Sequence, residues 1–468
     1  MLSSKIEIIL PENMKFDYKE YNLQNKLNVS KLKKGTKYTW EETNLVAKEY
    51  EGYLPSPVHY EPMLITSPVK FKMDDYGGSM DSWDAFGKWN YELNQGRDVL
   101  SVETYKKIKD LTKDAKTDRE KAKILYEYMQ GKTRYVSVQL GIGGWQTFPA
   151  QYVDENAYGD CKALSNYMYT MLKLVGVKSH YVLVNAGRYN DDIISDFPSN
   201  QFNHVILCIP QEKDTIWLEC TDQQQPFGFL GRFTDNRHVL LVDENGGKLV
   251  KTPEYTKEIN LQTRNTQISV GENGNALLKA KTVFSGLNYE AREREIYKSV
   301  KDQKKFLHNT YDVSGAIIKS FSYKVDKSEI PSIIENLEMD IPKLASVSSK
   351  RMFLKMNLLG NTVYVPKKNT ERKRPFEIKR GYVDIDTIKM QIPETYKVES
   401  LPSEKNYVGK FGGYATKINV DGTNIVFVRK FYVEKGFFAA TEYMGFYNFR
   451  KKIKKADRVK VVLVKKTD

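Results

Sequence analysis

Cysteine is scarce in this chain, with three in 468 residues, and only five histidines accompany it. So few thiols build no disulfide framework, and an odd number leaves at least one free. No close Cys/His pair has ligand spacing, which argues against a zinc centre. No run approaches 18 apolar residues, and Met1-Leu2-Ser3-Ser4-Lys5 has no apolar leader core, so the sequence holds no candidate spanning helix. The chain starts almost directly in a strand-like pattern. If it is a fragment of a longer precursor, a periplasmic or secreted setting is expected. Internal repeats and low-complexity tracts are missing too. The stretch around Gly141, Gly143 and Gly144 lacks the Lys-Ser/Thr of a phosphate-binding loop. No motif calls for a cofactor or a metal.

What is present points to folded domains. A hydrophobic fraction of 40 %, with 31 Tyr and 21 Phe, is ample for several cores, and the length predicts two or three domains. The net charge is +14, and residues 401–468 hold 15 Lys/Arg against 6 Asp/Glu. The densest basic run, Arg450-Lys451-Lys452-Ile453-Lys454-Lys455, reads as the solvated face of a helix. No nucleic-acid module accompanies it, so nucleic acid is not an expected partner. Contact with an anionic surface through this helix is the weaker alternative.

The hydrophobic period changes twice along the chain. Over 1–78 it alternates (Ile6, Ile8, Leu10; Phe16, Tyr18; Tyr38, Trp40), which predicts part of an N-terminal β-sandwich-like domain. From 79 it turns helical, with Trp83, Phe86, Trp89 and Leu93 on one face and a capping box at Thr117-Asp118-Arg119-Glu120. A helix opening at Cys161 follows, then strands over 180–185, 202–209, 216–221 and 238–242. Helices first and antiparallel strands after predict an α+β core domain over 79–255. Beyond a linker at 253–260, residues 256–468 predict a β-rich, sandwich-like C-terminal domain. Helices are inserted there over 287–299, extending towards 308, and over 442–455, and Asp421-Gly422 marks a hairpin.

One cysteine is placed for chemistry. Asp160 can cap a helix that begins at Cys161, and a thiol at a helix N-terminus sits near partial positive charge that favours the thiolate. A nucleophilic thiolate needs a base, and the base needs a group to orient it. His204 supplies an imidazole on the strand 202–209, and Glu219 and Asp222 supply acids on or after the strand 216–221. A hairpin with its loop at 211–214 sets Ile206 opposite Glu219, so Glu219 shares the face of His204 while Asp222 takes the other. A bulge or an odd loop would reverse that choice. Cys208 and Cys220 read as packing, and His59, His180, His238 and His308 as ordinary structural histidines. Trp145 and Gln146 are candidates to line the cleft, where a donor would assist the Cys161 backbone N–H in holding an oxyanion.

The succession Gly159-Asp160-Cys161-Lys162, Asn203-His204-Val205 and Trp217-Leu218-Glu219-Cys220-Thr221 resembles the core of the transglutaminase-like superfamily. The closer resemblance is to bacterial members in which that core lies between β-rich domains of unknown function. It covers about 80–255 and implies a papain-like thiol mechanism with a Cys-His-acid triad. Cys161 and His204 fall on the family positions. The usual Asp-x-Thr is here Glu219-Cys220-Thr221, so either Glu219, one methylene longer, or Asp222 completes the triad. The implied reaction is acyl transfer on a protein or peptide substrate through a thioester. Release by water (peptidase or amidase) is the expected course, and release by a second amine (transglutaminase) the alternative. The departure at Glu219 leaves open a non-catalytic scaffold whose β domains bind protein or glycan.

Overall fold

Local chemistry decides where the elements begin. In the computed structural model, which describes residues 1–212, 214–360 and 363–467, seven strands come first. They are β1 (Ser3–Leu10), β2 (Phe16–Tyr21), β3 (Asn28–Leu32), β4 (Gly35–Thr43), β5 (Met63–Pro68), β6 (Lys70–Met73) and β7 (Tyr76–Ser79). A three-stranded sheet runs β1-β4-β3, and β2 pairs with β5. Alternation leaves aromatic rings on facing sides, and these interlock edge-on, Phe16 with Tyr38 at 5.0 Å and Tyr18 with Trp40 at 5.3 Å.

Helices α1 (Trp83–Leu93), α2 (Val102–Leu111) and α3 (Asp118–Lys132) lead to β8 (Arg134–Tyr135), α4 (Ala150–Asn156), β9 (Tyr158–Gly159) and α5 (Cys161–Leu174). Ser82, Ser101, Thr117 and Asp160 each accept a first-turn N–H of α1, α2, α3 and α5, and Glu120 completes the box on Thr117. The stretch 140–158 leads from β8 to β9. It holds α4, which Pro149 enters with φ preset and Ala157 leaves in the left-handed region at φ 58°.

The strands that follow are β10 (His180–Val184), β11 (His204–Pro210), β12 (Thr215–Leu218), then α6 (Gly231–Thr234), β13 (His238–Asp243) and β14 (Gly246–Lys251). They form an antiparallel sheet in the order β12-β11-β10-β13-β14. Leu164, Met168, Met171 and Leu172 of α5 bury against Leu207, Ile209, Ile216 and Leu218 of that sheet. On the same unit α1 comes backbone-to-backbone onto β14, because a Cβ at Gly87 would lie 2.2 Å from the Gly247 Cα. The sequence ran the third strand on to Thr221; β12 stops at Leu218, and Glu219 to Thr221 turn on their own hydrogen bonds instead.

The chain divides into two compact units, 1–50 with 56–254 and 51–55 with 255–468. The second contains β15 (Leu261–Val270), β16 (Ala276–Ser285), α7 (Glu290–Ile296), α8 (Val300–Tyr311), β17 (Ile317–Asp326), β18 (Ser332–Ile341), β19 (Ser346–Ser348), β20 (Arg351–Lys355), β21 (Phe376–Ile378) and β22 (Tyr382–Gln391). It continues with β23 (Tyr396–Ser400), β24 (Lys405–Gly409), β25 (Gly412–Asp421), β26 (Asn424–Val433), β27 (Gly436–Phe438), α9 (Tyr443–Ala456) and β28 (Lys460–Lys465). An eight-stranded sheet runs β17-β18-β16-β15-β22-β26-β25-β24, with β15 and β22 parallel, and a four-stranded sheet runs β19-β20-β28-β23. Where one inserted helix was expected over 287–299, there are two, since Ser299 caps a new helix by accepting the Asp302 N–H. The basic run on α9 is not wholly solvated. Arg450 is buried and donates to the Tyr364 carbonyl, while Lys451 and Lys452 stay exposed.

The fold is therefore α+β, a helix-and-sheet core flanked in sequence by β-rich segments. No helix among the described residues is long and apolar enough to cross a membrane.

Candidate active site

Cys161 opens α5 because Asp160, extended at φ −81° and ψ −176°, caps it. The Asp160 Oδ1 accepts the Ala163 N–H at 3.0 Å and its carbonyl accepts that of Leu164 at 2.9 Å. Its other oxygen pairs with the Lys162 ammonium, and both side chains are buried. That pairing offsets a negative charge which would otherwise sit beside a forming thiolate. Cys161 is 3 % exposed and stands in the wall of a cleft of about 280 Å³.

His204 begins β11, and Asn203 fixes that start. The Asn203 side chain accepts the Ala186 N–H at 2.7 Å and donates to the Ala186 carbonyl at 3.0 Å, imitating one more ladder residue. In the hairpin of β11 and β12, Leu207 lies opposite Leu218 and Pro210 opposite Thr215, the register that the loop at 211–214 implies. One residue beyond that ladder, the Glu219 carboxylate meets His204 Nε2 at 2.9 and 3.1 Å. Both carboxylate oxygens sit on Nε2, which leaves Nδ1 as the ring nitrogen for the Cys161 thiol. Thr221 steadies the carboxylate, its hydroxyl donating to Oε1 at 2.6 Å and its N–H at 3.1 Å. Tyr126 of α3 donates to the Glu219 carbonyl at 2.7 Å. Phe233 of α6 stands edge-on to the imidazole at 5.1 Å.

The electrostatics of this group follow from burial and pairing. Burial alone would lower the His204 pKa. The Glu219 charge and hydrogen bonds with Cys161 and Glu219 outweigh it and hold the imidazole at about 10. Burial works against the Glu219 charge as well, yet the facing imidazolium and the bonds from His204 and Thr221 keep its carboxyl below the usual range. The group is thus arranged to carry an imidazolium between a carboxylate and a thiol. Burial pushes Cys208 up to about 12 and Cys220 further in the same direction.

Residues 106–228 match the transglutaminase-like superfamily, and residues 350–463 match a domain of unknown function, DUF3858. The chain carries a transglutaminase-like domain. A solved structure from Parabacteroides distasonis, described as a "putative protease", is similar to the whole chain at a TM-score of 0.58 and 15 % identity. The likeness covers 99 % of this chain and 72 % of that one, and at such identity it speaks for the fold alone. No curated protein matches the chain.

Cys161, His204 and Glu219 all lie within the transglutaminase-like domain, and α1, ahead of the matched residues, adds Phe86 and Asn90 to the cleft wall. Of the two acids proposed from sequence, Asp222 is spent elsewhere. Its Oδ1 accepts the Gln224 N–H at 2.8 Å, and its carbonyl is held by Gln130 of α3. Trp145 lines the cleft and packs edge-on against Trp89 at 5.5 Å. Gln146, expected beside it, is a brace instead. It accepts from Arg97 at 2.5 Å, donates to the Leu93 carbonyl at 2.8 Å, and is not part of the cleft lining. His238 pairs with Asp192 at 2.7 Å, and His180 stands 3.8 Å from Asp243. Sequence reasoning did not single out Thr221, Lys162, Tyr126 or Phe233. A threonine two residues after an acid, where a strand stops, is a recognisable local turn signal. Tyr126 and Phe233 arrive from distant elements and leave no such mark.

Proposed function

We propose that this protein is a thiol-dependent acyl-transfer enzyme that hydrolyses peptide or amide bonds, with Cys161 as nucleophile, His204 as acid and base, and Glu219 orienting His204. The observation that carries this reading is the buried bond from both Glu219 oxygens to His204 Nε2, which leaves Nδ1 unused by Glu219 in a cleft whose wall also holds Cys161. A buried ion pair adds little to stability when well-packed apolar residues would serve as well. A functional use accounts better for its presence beside a cysteine.

The steps follow from the residues. Cys161 Sγ, as thiolate, attacks the carbonyl carbon, and the carbonyl electrons move onto oxygen, which the Cys161 N–H receives. His204 then gives its Nδ1 proton to the departing amine as the C–N bond breaks, leaving a thioester and neutral imidazole. Water attacks the thioester, His204 takes its proton, and the C–S bond breaks to give the acid and the starting ion pair. Glu219 stays ionised throughout and holds Nε2–H in place.

Iodoacetamide labelling of the native protein at pH 6 to 7, read by peptide mapping, tests this reading. Cys161 is expected to label readily. At pH 7 a thiol held at about 12, as Cys208 is, presents only about one part in 10⁵ as thiolate, so it stays unlabelled. An unlabelled Cys161 would overturn the reading, as would a Cys161→Ala protein that retained peptidase activity.

A further inference from the structure

A second cavity adjoins the cleft. It measures about 380 Å³ against about 280 Å³ for the cleft, and Asn90 and Tyr181 line both. Cavities of about 300–1,000 Å³ are the usual size of ligand pockets. Two polar atoms here are buried without a hydrogen-bond partner, the Ser179 hydroxyl and the Tyr181 phenol, and Ser179 is itself only 7 % exposed.

The charges on the lining do not cancel locally. Asp98 is matched by Lys173 at 2.6 Å. Asp243 accepts the Asn245 N–H at 2.8 Å and stands 3.8 Å from His180, and burial lowers the His180 pKa, so this neighbour is neutral at neutral pH. Glu244 adds a second carboxylate beside Asp243. Lys178, the opposing cation, is exposed and can extend its ammonium into water. Tyr91 and Tyr169 bring two phenol rings to the same lining, and aromatic rings attract organic cations.

We infer that this cavity is a substrate subsite for an alkylammonium group, carried either by a lysine-type side chain or by a free α-amino end near the reacting carbonyl. Asp243 and Glu244 supply the charge, and Tyr91 and Tyr169 the walls. The inference rests on the amide-hydrolase reading for the word substrate, but the cavity can be tested without turnover.

Calorimetric titration of the full-length Cys161→Ala protein would use three probes: N-acetyl-lysine amide, alanine amide and uncharged N-acetyl-norleucine amide. One of the two cationic probes is expected to bind about tenfold tighter than the norleucine probe, and which one does so identifies the source of the ammonium. The Asp243→Asn/Glu244→Gln double variant should lose that preference. Lys178→Met, which removes the opposing cation without touching the acidic pair, should tighten the same probe about threefold. No binding by either cationic probe, equal binding of the norleucine probe, or weaker binding in Lys178→Met would overturn the inference. Because turnover plays no part, failure here leaves the Cys161 chemistry standing, and failure of that chemistry leaves this subsite standing.

Discussion

Replacing Glu219 with glutamine is the sharpest single perturbation of the proposed site. The amide matches the carboxylate in shape but offers one acceptor oxygen where the structure uses two. Oε1 takes both donors of Thr221, and the nearer oxygen on Nε2, at 2.9 Å, is Oε2. If the glutamine oxygen stays with Thr221, its NH₂ faces Nε2. The imidazole must then carry its proton on Nδ1 and can no longer receive one from Cys161. His204 stands at about 10 against an ordinary 6.5, and at about 1.4 kcal/mol per decade its imidazolium is stabilised by about 4–5 kcal/mol. Glu219 is the largest influence raising it; if it supplies half, its loss costs about 2 kcal/mol, or about 30-fold in the thiolate–imidazolium form. Cys161 alkylation at pH 7 should slow by that factor in Glu219→Gln.

The pH dependence of stability changes with it. His204 binds its proton more tightly in the folded chain, so its contribution is full below about pH 6.5 and is lost as pH rises through about 10. Glu219 binds its proton more weakly when folded, so its contribution is full above about pH 4.5 and is lost as pH falls through its depressed value. Denaturant unfolding from pH 4 to 10 should show the parent's highest stability between about pH 4.5 and 6.5 with a steady fall above it, and in the variant a lower maximum with a weaker fall. An alkylation rate within threefold of the parent at pH 7, with an unchanged pH profile, would refute the reasoning.

Two further outcomes follow. Thr221→Val removes the 2.6 Å hydroxyl bond but keeps the bulk, so alkylation of Cys161 should slow several-fold for a stability loss of only about 1 kcal/mol. An unchanged alkylation rate would assign that hydroxyl to folding alone. Gly87→Ala forces a Cβ to within 2.2 Å of Gly247, so α1 must lift from β14 at a cost of about 1–3 kcal/mol, visible as a lower denaturant midpoint. An unmoved midpoint would show that the two backbones do not need this close approach.

Much of the architecture was legible because it depends on neighbours in sequence. Asp160 and Thr117 cap helices through groups three residues away, and the period of two along 204–209 needs only the pleat of a strand. The loop at 211–214 implied the register that brings Glu219 to the side of His204, and Asp421-Gly422 marked the hairpin of β25 and β26. The division of labour between Glu219 and Asp222 was open until the strand's end was known. Leu218 is the last residue of β12, and beyond it Thr221 and Gln224, not the sheet, take the two acids' hydrogen bonds. Gln146 was misread because its partners, Arg97 and the Leu93 carbonyl, sit about fifty residues away, at a distance no local pattern encodes. The parallel pairing of β15 with β22 and the second cavity belong to the same class. Sequence by itself singled out Cys161, His204 and the elements that carry them, since short-range hydrogen bonding and side-chain period suffice for those. Which acid holds the histidine, and what lies beside the cleft, depends on contacts made only when distant segments pack, so tertiary structure alone decided them.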